Sequence, residues 1–183
     1  MIDEHFLEKE LFNLPDGWII LLETKAEKSF ETGLTATQIL TRQDYQGIII
    51  SASRPYSNLV TIYTQKKINL NNLVIIDCIS KSQDAEIPAE NAIFLDNVSA
   101  LTNISISVNE LINQISGKKF VLLDSISTML IYNHPQIFAR FIHNILTKIR
   151  LKGISGLLLS LDADIDKNVK AEIMQLCDKT IKM

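Results

Sequence analysis

The sequence predicts an α/β fold in three layers, a mainly parallel central sheet with helices on both faces. Short apolar runs alternate with stretches of helical periodicity, which is how strand–helix–strand units read. The runs also lack polar/apolar alternation, as in Gly47-Ile48-Ile49-Ile50, and so suit strands buried on both faces. At 183 residues and 46% hydrophobic the chain can fill one sizeable core, so 1–183 is expected to be a single domain.

The elements follow in order. A helix over 3–11 has acids in its first turn and Phe6, Leu7 and Leu11 on one side, and Pro15-Asp16-Gly17 turns the chain into the sheet, making 1–17 an N-terminal helix and turn. Strands are predicted at 19–23, 47–51, 73–77, 120–124 and 156–161, with a short sixth candidate at 180–183. Helices are placed at 33–44, 56–65, 108–115, 135–152 and 168–176. The polar stretch 80–90, closed by Pro88, is a loop.

Composition narrows the function classes. A formal net charge of -3 gives no global reason to expect nucleic acid or an anionic membrane as partner. No apolar run approaches the roughly 20 residues that cross a bilayer. Cys78 and Cys177 form no CxxC pair, and with no secretory signal in residues 1–11 they read as reduced thiols of a cytoplasmic protein.

Helix 135–152 has the clearest pattern: Phe138, Phe141, Ile142, Ile145 and Ile149 recur at three- and four-residue steps. Its other side carries Arg140, His143, Lys148, Arg150 and Lys152 with no acid between Pro135 and Gly153. Such a face is either a solvated surface whose cations favour the helix C-terminus, or a docking face for an acidic partner or a phosphate backbone.

The passage from the first strand into Thr24-Lys25-Ala26-Glu27-Lys28-Ser29-Phe30-Glu31-Thr32-Gly33 lies where nucleotide-binding α/β domains place a glycine-rich phosphate loop. This stretch has one glycine, at its far end. Leu14-Pro15-Asp16-Gly17-Trp18-Ile19-Ile20-Leu21-Leu22-Glu23 resembles the approach to the core of RecA-fold ATPases of the KaiC-like type. Phe120-Val121-Leu122-Leu123-Asp124-Ser125-Ile126-Ser127-Thr128 is similar to the strand carrying the Walker B aspartate in archaeal KaiC-like proteins, with an apolar helix to follow. The order of elements through Gly153, 156–161 and Cys177-Asp178-Lys179-Thr180-Ile181 continues the resemblance over nearly the whole chain.

The resemblance implies ATP and magnesium chemistry, and the chain departs from it in three places. The pattern G-x-x-x-x-G-K-[ST] is missing, Lys28-Ser29 being the nearest imitation, and Phe30 adds bulk where phosphates would approach. Ser53 stands about where the family places a glutamate that orients water, and a serine is no competent base unaided. The sequence stops at Met183, about where the family continues with further strands.

Asp124 corresponds to the magnesium-holding carboxylate of an active relative, or serves simply to accept backbone amides of the next turn. Asp77 invites the same question. Asp162, Asp164 and Asp166 imitate the opening of a calcium loop, but Lys167 replaces its glycine and Ile173 its final glutamate, so a helix entrance is expected. His5, His134 and His143 lack metal-ligand spacing, Ser125 and Ser127 lack a nucleophile elbow, and Tyr56 and Tyr63 are expected to cover the sheet.

These readings converge on a RecA/KaiC-like protein-interaction or regulatory module that has lost hydrolysis, binding a protein partner or its own copies, with no resident cofactor or metal. Lys28, Thr32 and Asp124 would be a vestigial nucleotide site. The alternative is an atypical ATP-binding protein built on Lys25 or Lys28, Thr32 and Asp124; nucleic-acid binding through helix 135–152 is a third reading.

Overall fold

The computed structural model describes residues 3–12, 14–85, 87–162 and 166–183. Among these, the strands are β1 (Ile19–Thr24), β2 (Gln46–Ser51), β3 (Leu73–Asp77), β4 (Ala92–Phe94), β5 (Lys119–Asp124), β6 (Ser155–Leu161) and β7 (Lys179–Lys182). They form one sheet in the order β4-β3-β2-β5-β6-β1-β7, every pairing parallel. The helices are α1 (Glu4–Glu10), α2 (Ala26–Arg42), α3 (Tyr56–Gln65), α4 (Leu101–Gln114), α5 (Ile126–Tyr132), α6 (Pro135–Leu151) and α7 (Lys167–Leu176).

Alternation along each strand divides the apolar side chains between two cores. Ile20, Leu22 and Ile49 pack with Leu34, Ile39 and Leu40 of α2 and Leu59 of α3, whereas Ile19, Leu21, Ile48 and Ile50 pack with α4, α5, α6 and α7. Helices α1, α2 and α3 therefore cover one face and α4 to α7 the other, the expected three layers. Burial on both faces explains the continuous apolar runs. At Gly47 an added Cβ would lie 2.6 Å from the side chains of both Leu73 and Phe120, so that strand position admits no larger residue without displacing its neighbours.

Several expectations change. α2 begins at Ala26, not at residue 33: Ala26-Glu27-Lys28 are good helix formers, Glu27 lies in the first turn, and no glycine interrupts them. α4 begins at Leu101, seven residues before the expected start, because Ile104, Val108, Leu111 and Ile112 bury one stripe despite the weak propensities of its Ser-Ile-Ser stretch. β4, only three residues at the sheet edge, adds a strand to those expected, and the expected loop 80–90 opens with a 3-10 turn at Ser80–Gln83. The sixth strand candidate forms as β7, and α3 has the expected bounds.

Candidate functional site

The carboxyl ends of the strands form the edge where open α/β sheets place their ligand crevices. The register sets Asp77, Ser51 and Asp124 in one row across β3, β2 and β5. Farther along the sheet, Glu23 of β1 pairs in register with Ser160 of β6.

Asp124 closes β5 with only 9% exposure. Ser53 Oγ lies 3.5 Å from Asp124 Oδ1, at the long limit of a hydrogen bond. Burial pushes the Asp124 carboxyl from 3.8 up to about 6, against the lowering influence of the Arg54 charge and the Ser53 hydroxyl. Tyr63, buried on α3, is raised above its ordinary value by burial and then by the Asp124 charge, with the Thr37 hydroxyl acting in the opposite sense. Ser53 thus reaches Asp124, and the charge of Arg54 acts on its carboxyl as the Asp124 charge acts on Tyr63. The Arg54 guanidinium also sits 3.9 Å over the ring of Phe30, from the second turn of α2, and donates to Asn58 Oδ1 at 3.2 Å.

The predicted phosphate-loop residues occupy a different arrangement from the one expected. The stretch 24–33 is not a loop. Only Lys25 separates β1 from α2, and Thr24 Oγ1 donates to its carbonyl at 2.7 Å. Lys28 is half-buried in the first turn of α2, and its carbonyl accepts from the buried Thr32 hydroxyl at 3.0 Å. Gly33 makes close packing possible: a Cβ there would approach Leu159 to 3.3 Å. The end of β1 is acidic, since Glu23 is 2% exposed and forms ion pairs with Lys170 of α7 and, at 3.6 Å, Lys182 of β7. No glycine loop is present here to curl around a phosphate: beyond its first turn the amides of α2 serve the helix's own ladder, and the Thr32 hydroxyl donates to the Lys28 carbonyl.

Other predicted residues hold the fold. Asp77 is fully buried; its Oδ2 accepts from Tyr56 N–H at 2.6 Å and Ser80 Oγ at 2.5 Å, and its Oδ1 from Ile79 and Ser80 N–H at 2.7 and 2.9 Å. It thereby satisfies the start of α3, whose Pro55 cap offers no side-chain acceptor. Ser125 caps α5 through Thr128 N–H at 3.3 Å, and Ser127 Oγ accepts from Leu161 N–H at 3.0 Å. Asp166 caps α7, as a helix-entrance role requires; Asp164 lies outside the described residues. Tyr56 and Tyr63 are both buried against the sheet. Cys78 and Cys177 are free thiols, each pushed by burial up to about 12, and hence poor nucleophiles.

The basic side of α6 is partly committed. Arg150 donates to Asp178 Oδ1 at 2.9 Å and to the Leu176 carbonyl at 2.7 Å, while Lys152 Nζ donates to Asn113 Oδ1 at 2.6 Å. His134 stands at the N-cap position of α6 ahead of Pro135 without a side-chain hydrogen bond to the helix, and His143 faces α4 across a surface groove. No group of three or more His, Cys, Asp or Glu side chains suited to a metal ion occurs among the described residues. Nor is any helix among them long and apolar enough to cross a membrane.

No protein-family model matches the chain, and no curated protein sequence matches it. Solved structures do. The flagellar accessory protein FlaH of Methanocaldococcus jannaschii superposes with a TM-score of 0.62 at 12% identity, covering 100% of this chain and 78% of its own. A KaiC-like protein of Pyrococcus horikoshii gives 0.65 at 11% identity over 92% and 72% of the two chains. An uncharacterised protein of the same organism, solved with a peptide bound, gives 0.65 at 16% identity over 97% and 82%. The chain has the RecA/KaiC-like fold.

Proposed function

We propose that this chain, as one domain over 1–183, is a RecA/KaiC-fold module that acts by binding protein rather than by hydrolysing nucleotide. The observation that supports it best is the setting of Asp124: Ser53 reaches the buried carboxylate, the Arg54 charge acts on it, and Arg54 is itself stacked on Phe30. The Arg54 charge offsets part of the cost of burying Asp124, whose carboxyl still lies up at about 6, so the cation acting on it is the protein's own. Lys28, Thr32 and Asp124 are the relic of a nucleotide site, and the module works in the cytoplasm without a resident cofactor. Its partner is another protein or a second copy. The peptide bound by the uncharacterised neighbour of the same fold is in keeping with that role.

Calorimetry with ATP and magnesium tests the reading. The expected result is no saturable heat. Micromolar binding abolished by Asp124→Ala would overturn it in favour of an atypical ATP site built on Lys25 or Lys28, Thr32 and Asp124.

A further inference from the structure

We propose that the groove between α4 and α6 seats an acidic amphipathic helix of a protein partner. This rests on the interaction role proposed above and gives it a surface. The groove has a volume of about 520 Å³; Val108 and Ile145 belong to its lining, as do His143, Lys148 and Leu151. Leu151 is 84% exposed, so an apolar side chain stands at its rim. Of the nine large hydrophobic residues exposed among the described residues, Ile106, Ile131, Tyr132, Ile137 and Leu151 belong to α4, α5 and α6. Leu151 is the one of these that lines the groove, over the apolar floor of Val108 and Ile145, while Tyr132 and Ile137 line a second depression at the other end of α6.

Charge selects the occupant. α6 carries no acid from Pro135 to Leu151, and His143 and Lys148 face the groove together with Lys152. The single acid of α4, Glu110, is not part of the lining. A helix laid between two helices inserts side chains at three- and four-residue steps, so apolar anchors on one face and carboxylates beside them would meet Leu151 and the cations together. The apolar component favours a protein over a nucleic acid, as does the cation count: two lysines, Lys148 and Lys152, line the groove, against roughly 6 to 10 phosphate contacts in a salt-sensitive binder.

The test uses the full chain and a fluorescein-labelled synthetic peptide of about five helical turns, with leucines on one face and glutamates on the other. A second peptide has lysine at every glutamate position. Fluorescence anisotropy should show saturable micromolar binding of the acidic peptide alone, weakened about tenfold or more by Leu151→Glu and by Lys148→Glu. Thermal melts should show both surface variants folded. The proposal is overturned if the acidic peptide does not saturate, if Leu151→Glu leaves its affinity unchanged, or if a single-stranded oligonucleotide displaces it with steep salt dependence. Calorimetry with ATP and magnesium on the same preparation separates the two readings: nucleotide binding there removes the non-catalytic reading and leaves a peptide-binding groove standing.

Discussion

Arg54 holds its guanidinium 3.9 Å above the ring of Phe30, joining the segment after β2 to the second turn of α2 beside the buried Asp124. The contact ties together two of the places where the sequence departs from a phosphate-binding pattern. Replacing Arg54 with Met should remove the stacking and the charge at once. Asp124 should then titrate above about 6, followed through the carboxyl carbon signal in an NMR pH series. The stacking alone should cost about 0.5–2 kcal/mol in urea unfolding.

Asp124 sets a pH dependence of definite sign. Its folded carboxyl lies at about 6 against an ordinary 3.8, so between those values the folded state binds the extra proton, and stability falls as pH rises through the window. Asp124→Asn, which stays neutral, should therefore stabilise the protein near neutral pH by about 2–3 kcal/mol at most. The gain should vanish below the ordinary carboxylate value. Urea midpoints for both proteins across the acid range check it, and a gain that persists at the acid end would contradict the assignment.

Asp77 should behave in the opposite way to a dispensable surface acid. Its carboxylate accepts from Tyr56, Ile79 and Ser80. Asp77→Ala would leave several buried donors unsatisfied, at about 3 kcal/mol or more, with Asp77→Asn recovering part of it. Thermal and urea unfolding read the difference directly.

Gly47→Ala should destabilise by about 1–3 kcal/mol through overpacking, since the new methyl would sit 2.6 Å from Leu73 and Phe120 side chains. A second substitution, Leu73→Ala, should recover part of the loss in a double-mutant cycle. Additive effects would place the strain elsewhere.

Arg150 offers a test of how much of α6 is structural. Burial tends to raise the Asp178 carboxyl, but the Arg150 hydrogen bond, the Ile19 N–H at 2.7 Å and the Arg150 charge outweigh it and hold the group below its ordinary value. Stability from this group is present above the ordinary carboxylate value and is lost as pH falls through the depressed one. Arg150→Ala should raise the Asp178 titration and speed amide exchange at Ile19 and along β7.

The sheet was readable from sequence because strands buried on both faces leave continuous apolar runs, and α3 and α6 because their stripes are regular. The β1–α2 passage was misread because a resemblance to phosphate-binding chains suggested a loop where Ala26-Glu27-Lys28 favours helix. β4 left too short a run to register. Asp124 and Ser53 stand out in the sequence only through the family resemblance, and they do meet, whereas nothing in the sequence marks Arg54 and Tyr63 as their companions. A lone cation three residues past a strand and a tyrosine two helical turns into α3 carry no local signal; the pairing of β2 with β5, and the folding of α3 over that face of the sheet, bring them toward the same carboxylate. The ion pairs of Glu23 with Lys170 and Lys182 span most of the chain and were equally invisible.

The place of β1 in the sheet also governs the order in which the molecule can assemble. Its pairing partners are β6 and β7, and the Asp178 carboxylate that receives the Ile19 N–H is 159 residues away. As the chain leaves the ribosome, Ile19–Thr24 must remain without sheet partners until Ser155–Leu161 emerges, while β2, β3 and β5 can pair beforehand. An apolar first strand thus waits without its sheet neighbours through most of synthesis, a long-range closure of the kind that slows folding and leaves a strand edge open to aggregation.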